Sequence, residues 1–264
     1  MADFSAKDVQ ALRQAMGVGM MDAKRALTEN DGDMEMSRRW LFEHGLAKMG
    51  ERSDRENTQG AVTAVREGQT AAVVALRCET DFVAKSPEFT DLLDELATLV
   101  VAKGEAAVAE RQEAVDALRI SLKENIQVGE VHRFEAGPHS VLDAYVHMQN
   151  GRGVNGILVE LTGGDEAKAH EVALHIAFAR PEWLSRDDVP VERVEDEREL
   201  LANLTRNEGK PEAAVPKIVE GRLGRFYKEH CLLEQAYVRD TKLSIAQFLG
   251  EATVSRFVQV VVGG

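Results

Sequence analysis

Thr70-Ala71-Ala72-Val73-Val74-Ala75-Leu76-Arg77-Cys78, then Glu79-Thr80-Asp81-Phe82-Val83-Ala84-Lys85, then Ser86-Pro87-Glu88, is the stretch that decides how this 264-residue chain folds. Ala71–Leu76 is almost wholly apolar, which predicts a strand that is central in its sheet or buried on both faces. Ser86, Pro87 and Glu88 supply a cap, a proline at the first helical position and an acid in the first turn, so a helix begins there. Phe89, Leu92, Leu93, Leu96, Leu99 and Val100 form its apolar stripe, and Gly104 ends it. A further helix runs to about Asn125. Upstream, Ala61–Val65 reads as a partner strand joined through Glu67-Gly68.

The same pattern returns downstream. Strands are expected near Glu130–Phe134, Val141–Gln149 and Gly156–Leu161, with Asn150-Gly151 as a hairpin turn. A helix follows from about Asp165 to Phe178. Short connections make the strands antiparallel, so the fold class is α+β with a two-part core, and the recurrence has the pattern of a duplication. From Val191 the chain is strongly helical. Gly209 and Pro211 form a stop-start turn between two runs, one carrying Val194, Leu201 and Leu204 and the other Val215, Ile218, Val219 and Phe226. This predicts a protruding antiparallel helical hairpin at about 190–228. A short helix near Ser244–Leu249 and a strand over Val254–Val262 close the chain.

At the other end, Ser5 with Asp8 makes a capping box, Gly17 stops the first helix, and Asp33 caps a third helix that passes Trp40 and Leu41 and ends at Gly45. The division expected is a three-helix module over 1–46, a polar linker over 47–60 containing Glu51-Arg52-Ser53-Asp54-Arg55-Glu56-Asn57, a first core part over 61–140, and a second over 141–264 with the hairpin inserted.

Composition narrows the function. Against 45 Asp+Glu stand 32 Lys+Arg, a net charge of −13, which argues against gripping nucleic acid as the main task. Two cysteines, Cys78 and Cys231, fit a reducing compartment rather than a disulfide scaffold. Met1-Ala2-Asp3-Phe4-Ser5 lacks the basic and apolar regions of a signal peptide, and no run approaches the ~18 apolar residues that span a bilayer. The expectation is a soluble cytoplasmic protein with no membrane and no direct nucleic-acid partner.

Motifs for covalent chemistry are absent. No phosphate loop G-x-x-x-x-G-K-[ST] and no G-x-S-x-G occurs. His170-Glu171-Val172-Ala173-Leu174-His175 is one residue too long for a zinc-protease helix, since i and i+5 lie ~140° apart around the axis. Asp31, Asp33 and Glu35 mimic a calcium loop, but Met36 and Phe42 stand where its glycine and final glutamate belong. No metal and no cofactor is expected. The odd feature is Asp81-Phe82, an aromatic beside an acid in a short loop leaving a buried strand. Two readings stand. Phe82 folds back onto the core, the usual fate of a phenylalanine, or it is an aromatic wedge offered to a partner from a rigid strand–helix junction.

Thr80-Asp81-Phe82-Val83-Ala84-Lys85, preceded by Cys78-Glu79, resembles a signature of the elongation factor Ts family. Leu12-Arg13 and Met16-Gly17-Val18-Gly19-Met20-Met21-Asp22-Ala23-Lys24-Arg25-Ala26-Leu27 is similar to the family's other signature, in the expected order and separation. Tyr145-Val146-His147, Lys210-Pro211 and Val219-Glu220-Gly221-Arg222 also match. Met16 stands where the family usually has Thr, and Ala75 and Arg77 depart at flanking positions. Many members continue into a C-terminal helix that adds contact with the partner; this chain stops soon after Val262, so that contact is not carried over.

The resemblance implies an N-terminal module like ubiquitin-associated domains, a coiled-coil-like hairpin, and guanine-nucleotide exchange on elongation factor Tu. By motif, Thr80, Asp81, Phe82 and Val83 would meet the partner beside its nucleotide site, Phe82 as a wedge and Asp81 disturbing the magnesium shell. Met20, Met21 and Lys24 would hold the G domain, His147 would lie in the core contact surface, and Val238 is a weaker match to another contact. A homodimer or a two-plus-two complex stays open. Competing readings are an enzyme with a dispersed site between the core parts, and a non-catalytic chaperone or scaffold.

Overall fold

The computed structural model describes residues 4–50 and 54–263. Three helices, α1 (Ala6–Met16), α2 (Met20–Glu29) and α3 (Met34–Gly50), form the N-terminal module around Leu12, Ala23, Ala26, Leu27 and Leu41. The capping box forms: Asp8 Oδ2 accepts from the Ser5 amide at 2.7 Å, and Ser5 Oγ accepts from the Asp8 amide at 3.4 Å. Asp33 Oδ1 accepts from the Met36 amide at 2.9 Å, as expected of a cap.

Gly45 does not end α3. A Cβ there would stand 2.7 Å from Ile120 Cδ1, so the glycine serves a close approach between helices and the chain stays helical to Gly50. Helix thus enters the stretch read as a linker. Glu51, Arg52 and Ser53, part of that reading, lie outside the described residues.

The core has four layers. Strands β1 (Gln59–Glu67), β2 (Thr70–Cys78) and β3 (Gln127–Glu135) form an antiparallel sheet with β2 in the middle, Gln59 facing Cys78 and Glu67 facing Thr70. Helices α4 (Pro87–Lys103) and α5 (Gln112–Leu122) cover one face. A second antiparallel sheet covers the other; its strands are β4 (Ser140–Gln149), β5 (Arg152–Thr162) and a last strand over Thr253–Val261, with β5 central. Helix α6 (Glu166–Ala179), capped by Asp165, backs the second sheet.

This stacking explains why β2 reads as unbroken apolar sequence. Ala72, Val74, Leu76 and Cys78 point toward Phe89, Leu93, Leu96 and Val100 of α4, while Ala71, Val73 and Ala75 meet Leu142 and Leu158 of the second sheet. In β5, Ile157, Val159 and Leu161 pack on α6 and Leu158 on the first sheet. Gly156 lets the sheets close: a Cβ there would lie 2.7 Å from both Val62 Cγ2 and Val73 Cγ2.

Helices α7 (Val191–Asn207) and α8 (Val215–His230) make the antiparallel hairpin. It has its own small core, in which Leu223, Phe226, Val189 and Cys231 meet Trp183, Val194 and Leu201. Leu204, expected to share the inner face with them, is half exposed. Two short strands, β6 (Ala236–Tyr237) and β7 (Asp240–Ser244), were not legible as strands: one has two residues, the other is largely exposed and lacks alternation. The short helix α9 (Ile245–Leu249), capped by Ser244 and Gln247, precedes β8 (Thr253–Val261). No helix among the described residues is long and apolar enough to cross a membrane.

The expected cap at Ser86 needs correction. Its backbone has cap geometry and Pro87 follows, but its buried Oγ makes no hydrogen bond. The Phe89 and Thr90 amides both donate to the Ser86 carbonyl at 3.1 Å instead.

Leu96 is fully buried between α4 and β2. Leu96→Ala is expected to cost about 2–5 kcal/mol in urea-unfolding experiments, with the size set by how far the cavity collapses.

Candidate functional site

At the end of β2 the chain turns sharply. Cys78 Sγ donates to the Thr80 carbonyl at 3.1 Å, which also accepts from the Ala84 amide at 3.3 Å. A single 3₁₀ turn over Val83–Lys85 then leads into α4. Ala84 is buried and Val83 packs on the core from above, so the loop is pinned by its second half. Phe82 is not. It is 82% exposed, which decides between its two readings: the ring stands in solvent.

Its neighbour Lys85 orders the tip. Lys85 Nζ bonds Asp81 Oδ2 at 2.5 Å and lies 6.0 Å from the Phe82 ring centroid. The Lys85 hydrogen bond, with the charges of Lys85 and Arg152, holds the Asp81 carboxyl below its ordinary pKa of 3.8, so it is ionised at neutral pH. Arg152 is itself buried, donating to the Gly60 carbonyl at 2.6 Å and to Gln59 Oε1 at 2.8 Å.

The other candidates take separate positions. Met20 and Met21, at the start of α2, are 48% and 74% exposed, and Lys24 on the same helix is exposed, while Ala23, Ala26 and Leu27 form its buried side. Both methionines therefore face outward, with Met20 and Lys24 one turn apart. His147 is exposed near the end of β4, its Nδ1 3.4 Å from Tyr145 Oη. It shares a shallow groove with Asn155, Phe178 and Gly263. Val238, between β6 and β7, is half-buried against the second core, and its amide donates to His175 Nδ1 at 3.3 Å.

Arg152 joins two of these places: its charge acts on Asp81, and a Cβ on Gly263 would stand 2.7 Å from its guanidinium. Met20, Met21 and Lys24 lie on the N-terminal module. Sequence reading missed Arg152, whose burial has no sequence signature, and Phe178, 75% exposed where α6 was expected to end.

Among the described residues no His, Cys, Asp and Glu side chains cluster as a metal site. His170 and His175 diverge as the helical geometry requires: His170 Nδ1 lies 3.1 Å from Asp143 Oδ2 at the surface, whereas His175 is buried against Gln235. Both cysteines are free and buried. Burial, with the Glu124 charge, pushes the Cys78 thiol up to about 12; burial, with the Glu234 charge, pushes Cys231 up to about 11. Neither supplies a thiolate nucleophile at neutral pH.

A family model described as elongation factor TS matches residues 79–264, a span that opens on the Thr80–Val83 loop. A protein named elongation factor Ts from Deinococcus deserti is 40% identical, covering 97% of this chain and 99% of its own length. This chain belongs to the elongation factor Ts family. An elongation factor Ts from Clavibacter sepedonicus is 41% identical over the whole of both chains, and one from Deinococcus radiodurans is 39% identical over 97% of this chain and 99% of its own. The elongation factor Ts likeness therefore extends through the N-terminal module that carries Met20, Met21 and Lys24.

Because the Phe82 ring packs against no core, Phe82→Ala is expected to change the unfolding free energy of the isolated protein by less than about 0.5 kcal/mol. A loss of several kcal/mol would return the ring to a core role. In a carboxyl-detected NMR titration, Asp81 should titrate below 3.8, and Lys85→Ala should move it back up toward that value.

Proposed function

We propose that this translation elongation factor is a guanine-nucleotide exchange factor that binds elongation factor Tu and speeds release of GDP. The observation that carries the reading is the solvent-exposed Phe82 beside an ionised Asp81, on a loop fixed between a buried strand and a buried helix. Exposed aromatics on rigid supports are what binding hot spots require, since little ordering remains to oppose association.

GDP is held in a G protein largely by magnesium and by backbone amides around the phosphates. Phe82 enters between helices of the partner's G domain, and a phenyl ring buried there contributes roughly 1.5–3 kcal/mol. Asp81 brings a carboxylate to the magnesium shell. In the free protein that carboxylate pairs with Lys85, but exposed ion pairs contribute only about 0–1 kcal/mol, so exchanging the lysine for the partner's groups costs little. Each ~1.4 kcal/mol removed from the release barrier speeds release tenfold. Met20, Met21 and Lys24 grip the G domain from the N-terminal module, while His147 and Val238 extend the contact along the core.

Linkage makes the cycle turn over. If the factor weakens GDP binding by some ratio, GDP weakens the factor's binding by that ratio, and the same reciprocity, with a ratio of its own, lets incoming GTP eject the factor. No covalent bond is made or broken. On this reading the protein works in the cytoplasm with the translation apparatus, and the N-terminal module and the core carry its contacts.

Stopped-flow release of a fluorescent GDP analogue from elongation factor Tu tests this. Catalytic amounts of the protein should accelerate release. Phe82→Ala and Asp81→Ala should each slow the accelerated rate, by about 10- to 100-fold for Phe82 on the burial arithmetic. Undiminished acceleration by both variants would overturn the site, and no acceleration by the intact protein would overturn the function.

A further inference from the structure

The loop that presents Asp81 and Phe82 is tied to a residue 44 positions away. Glu124 Oε2 accepts from the Glu79 amide at 3.0 Å and from the Thr80 amide at 3.1 Å, and Oε1 accepts from Thr80 Oγ1 at 2.6 Å. Thr80 Oγ1 in turn accepts from the Val83 amide at 3.4 Å, so the grip passes across the tip to the residue after Phe82. The tie is reciprocal. Glu79 Oε1 accepts from the Asn125 amide at 2.7 Å, and the Asn125 side chain donates to the Arg55 carbonyl at 2.7 Å. Three donors on one carboxylate are charge-assisted hydrogen bonds, stronger than neutral ones and directional.

The same short segment also seats the N-terminal module. Ile120 lies under Gly45, and a Cβ on Gly17 would stand 2.8 Å from Ser121 Cβ. Lys123 Nζ is 3.8 Å from Asp22 Oδ2, next to Met21 in sequence. Lys123 takes the left-handed conformation at the end of α5, with φ 61°, which turns the chain from the module toward the loop. Six residues, Ile120–Asn125, therefore hold both patches that the exchange reading brings to the partner.

Resting on that reading, we propose that Glu124 is a positioning residue: its carboxylate clamps the Glu79–Thr80 turn, fixes the direction in which Phe82 projects, and sets the spacing between the wedge and the Met20–Lys24 patch. Glu124 touches no partner itself; it acts through the loop.

The test uses Glu124→Gln in the full chain, with Glu124→Asp, which keeps the charge but withdraws the oxygens, as a second variant should the first fail to fold. In the free protein, amide hydrogen exchange at Glu79, Thr80 and Val83 should become at least about tenfold faster, with Val73 and Val74 in β2 unchanged. Unchanged protection at the loop, or loss throughout β2, overturns the clamp. In the nucleotide-release assay Glu124→Gln should slow exchange at least about fivefold. The double variant with Phe82→Ala should be slowed by clearly less than the product of the two single effects, because Glu124 acts largely through the Phe82 ring. Fully additive slowing, or no slowing by Glu124→Gln where Phe82→Ala does slow exchange, overturns the proposal. If Phe82→Ala itself leaves exchange unchanged, the exchange reading falls instead, and the amide measurement still decides the clamp.

Discussion

From Ala71 to Leu76 strand β2 has no solvent face, and the rest of the molecule is arranged around that constraint. Its even-numbered side chains, Ala72 to Cys78, lie under α4, and its odd-numbered ones, Ala71, Val73 and Ala75, lie on the second sheet. A slip by one residue would exchange the two sets. Ala72, Val74 and Leu76 would then face the second sheet in place of Ala71, Val73 and Ala75, a bulkier set where the sheets pack closely. Register is thus fixed on both sides, and the point where β2 ends, at Cys78, is fixed with it. A loop that leaves such a strand starts from a defined position and direction.

That definition matters because Phe82 is held out in water, 82% exposed, with no apolar core under its ring. A free phenyl group on a slack loop would collapse onto the nearest apolar surface. Here the loop is tied at both ends: Ala84 is sunk into the core, the Thr80 carbonyl accepts from Cys78 Sγ, and Glu79 and Thr80 hang from Glu124. A ring already pointing outward gives up little conformational freedom on docking, which is where preorganised contacts gain over flexible ones.

The sequence disclosed what periodicity and local capping control. The both-faces strand, the α4 stripe from Phe89 to Val100, the Ser5–Asp8 box and the Asn150-Gly151 turn all depend on neighbours within a few positions, and each formed. Where a residue answers to a distant partner, local reading lost its hold. Gly45 looked like a helix stop but is small because Ile120 crosses it; Ser86 looked like a side-chain cap but its carbonyl took that task. The Asp81-Phe82 loop was legible as unusual, and the motif resemblance named its chemistry, yet only the fold could say that the ring faces outward. Glu124 had no local signal at all, since the donors it serves lie 44 and 45 residues earlier.

The electrostatics of the tip follow from the same architecture. Against a net charge of −13, an additional exposed carboxylate would ordinarily be one more repelling group for an anionic nucleotide site. Lys85, one helical turn on, and the buried Arg152 place two cations around Asp81, so it stays ionised without adding a bare negative charge at the tip. Arg152 is buried and held by Gly60 and Gln59. Lys85 is a flexible side chain and can swing away. The lysine that pairs with the acid also lies beside the ring, 6.0 Å from its centroid, so one cation serves both side chains of the tip.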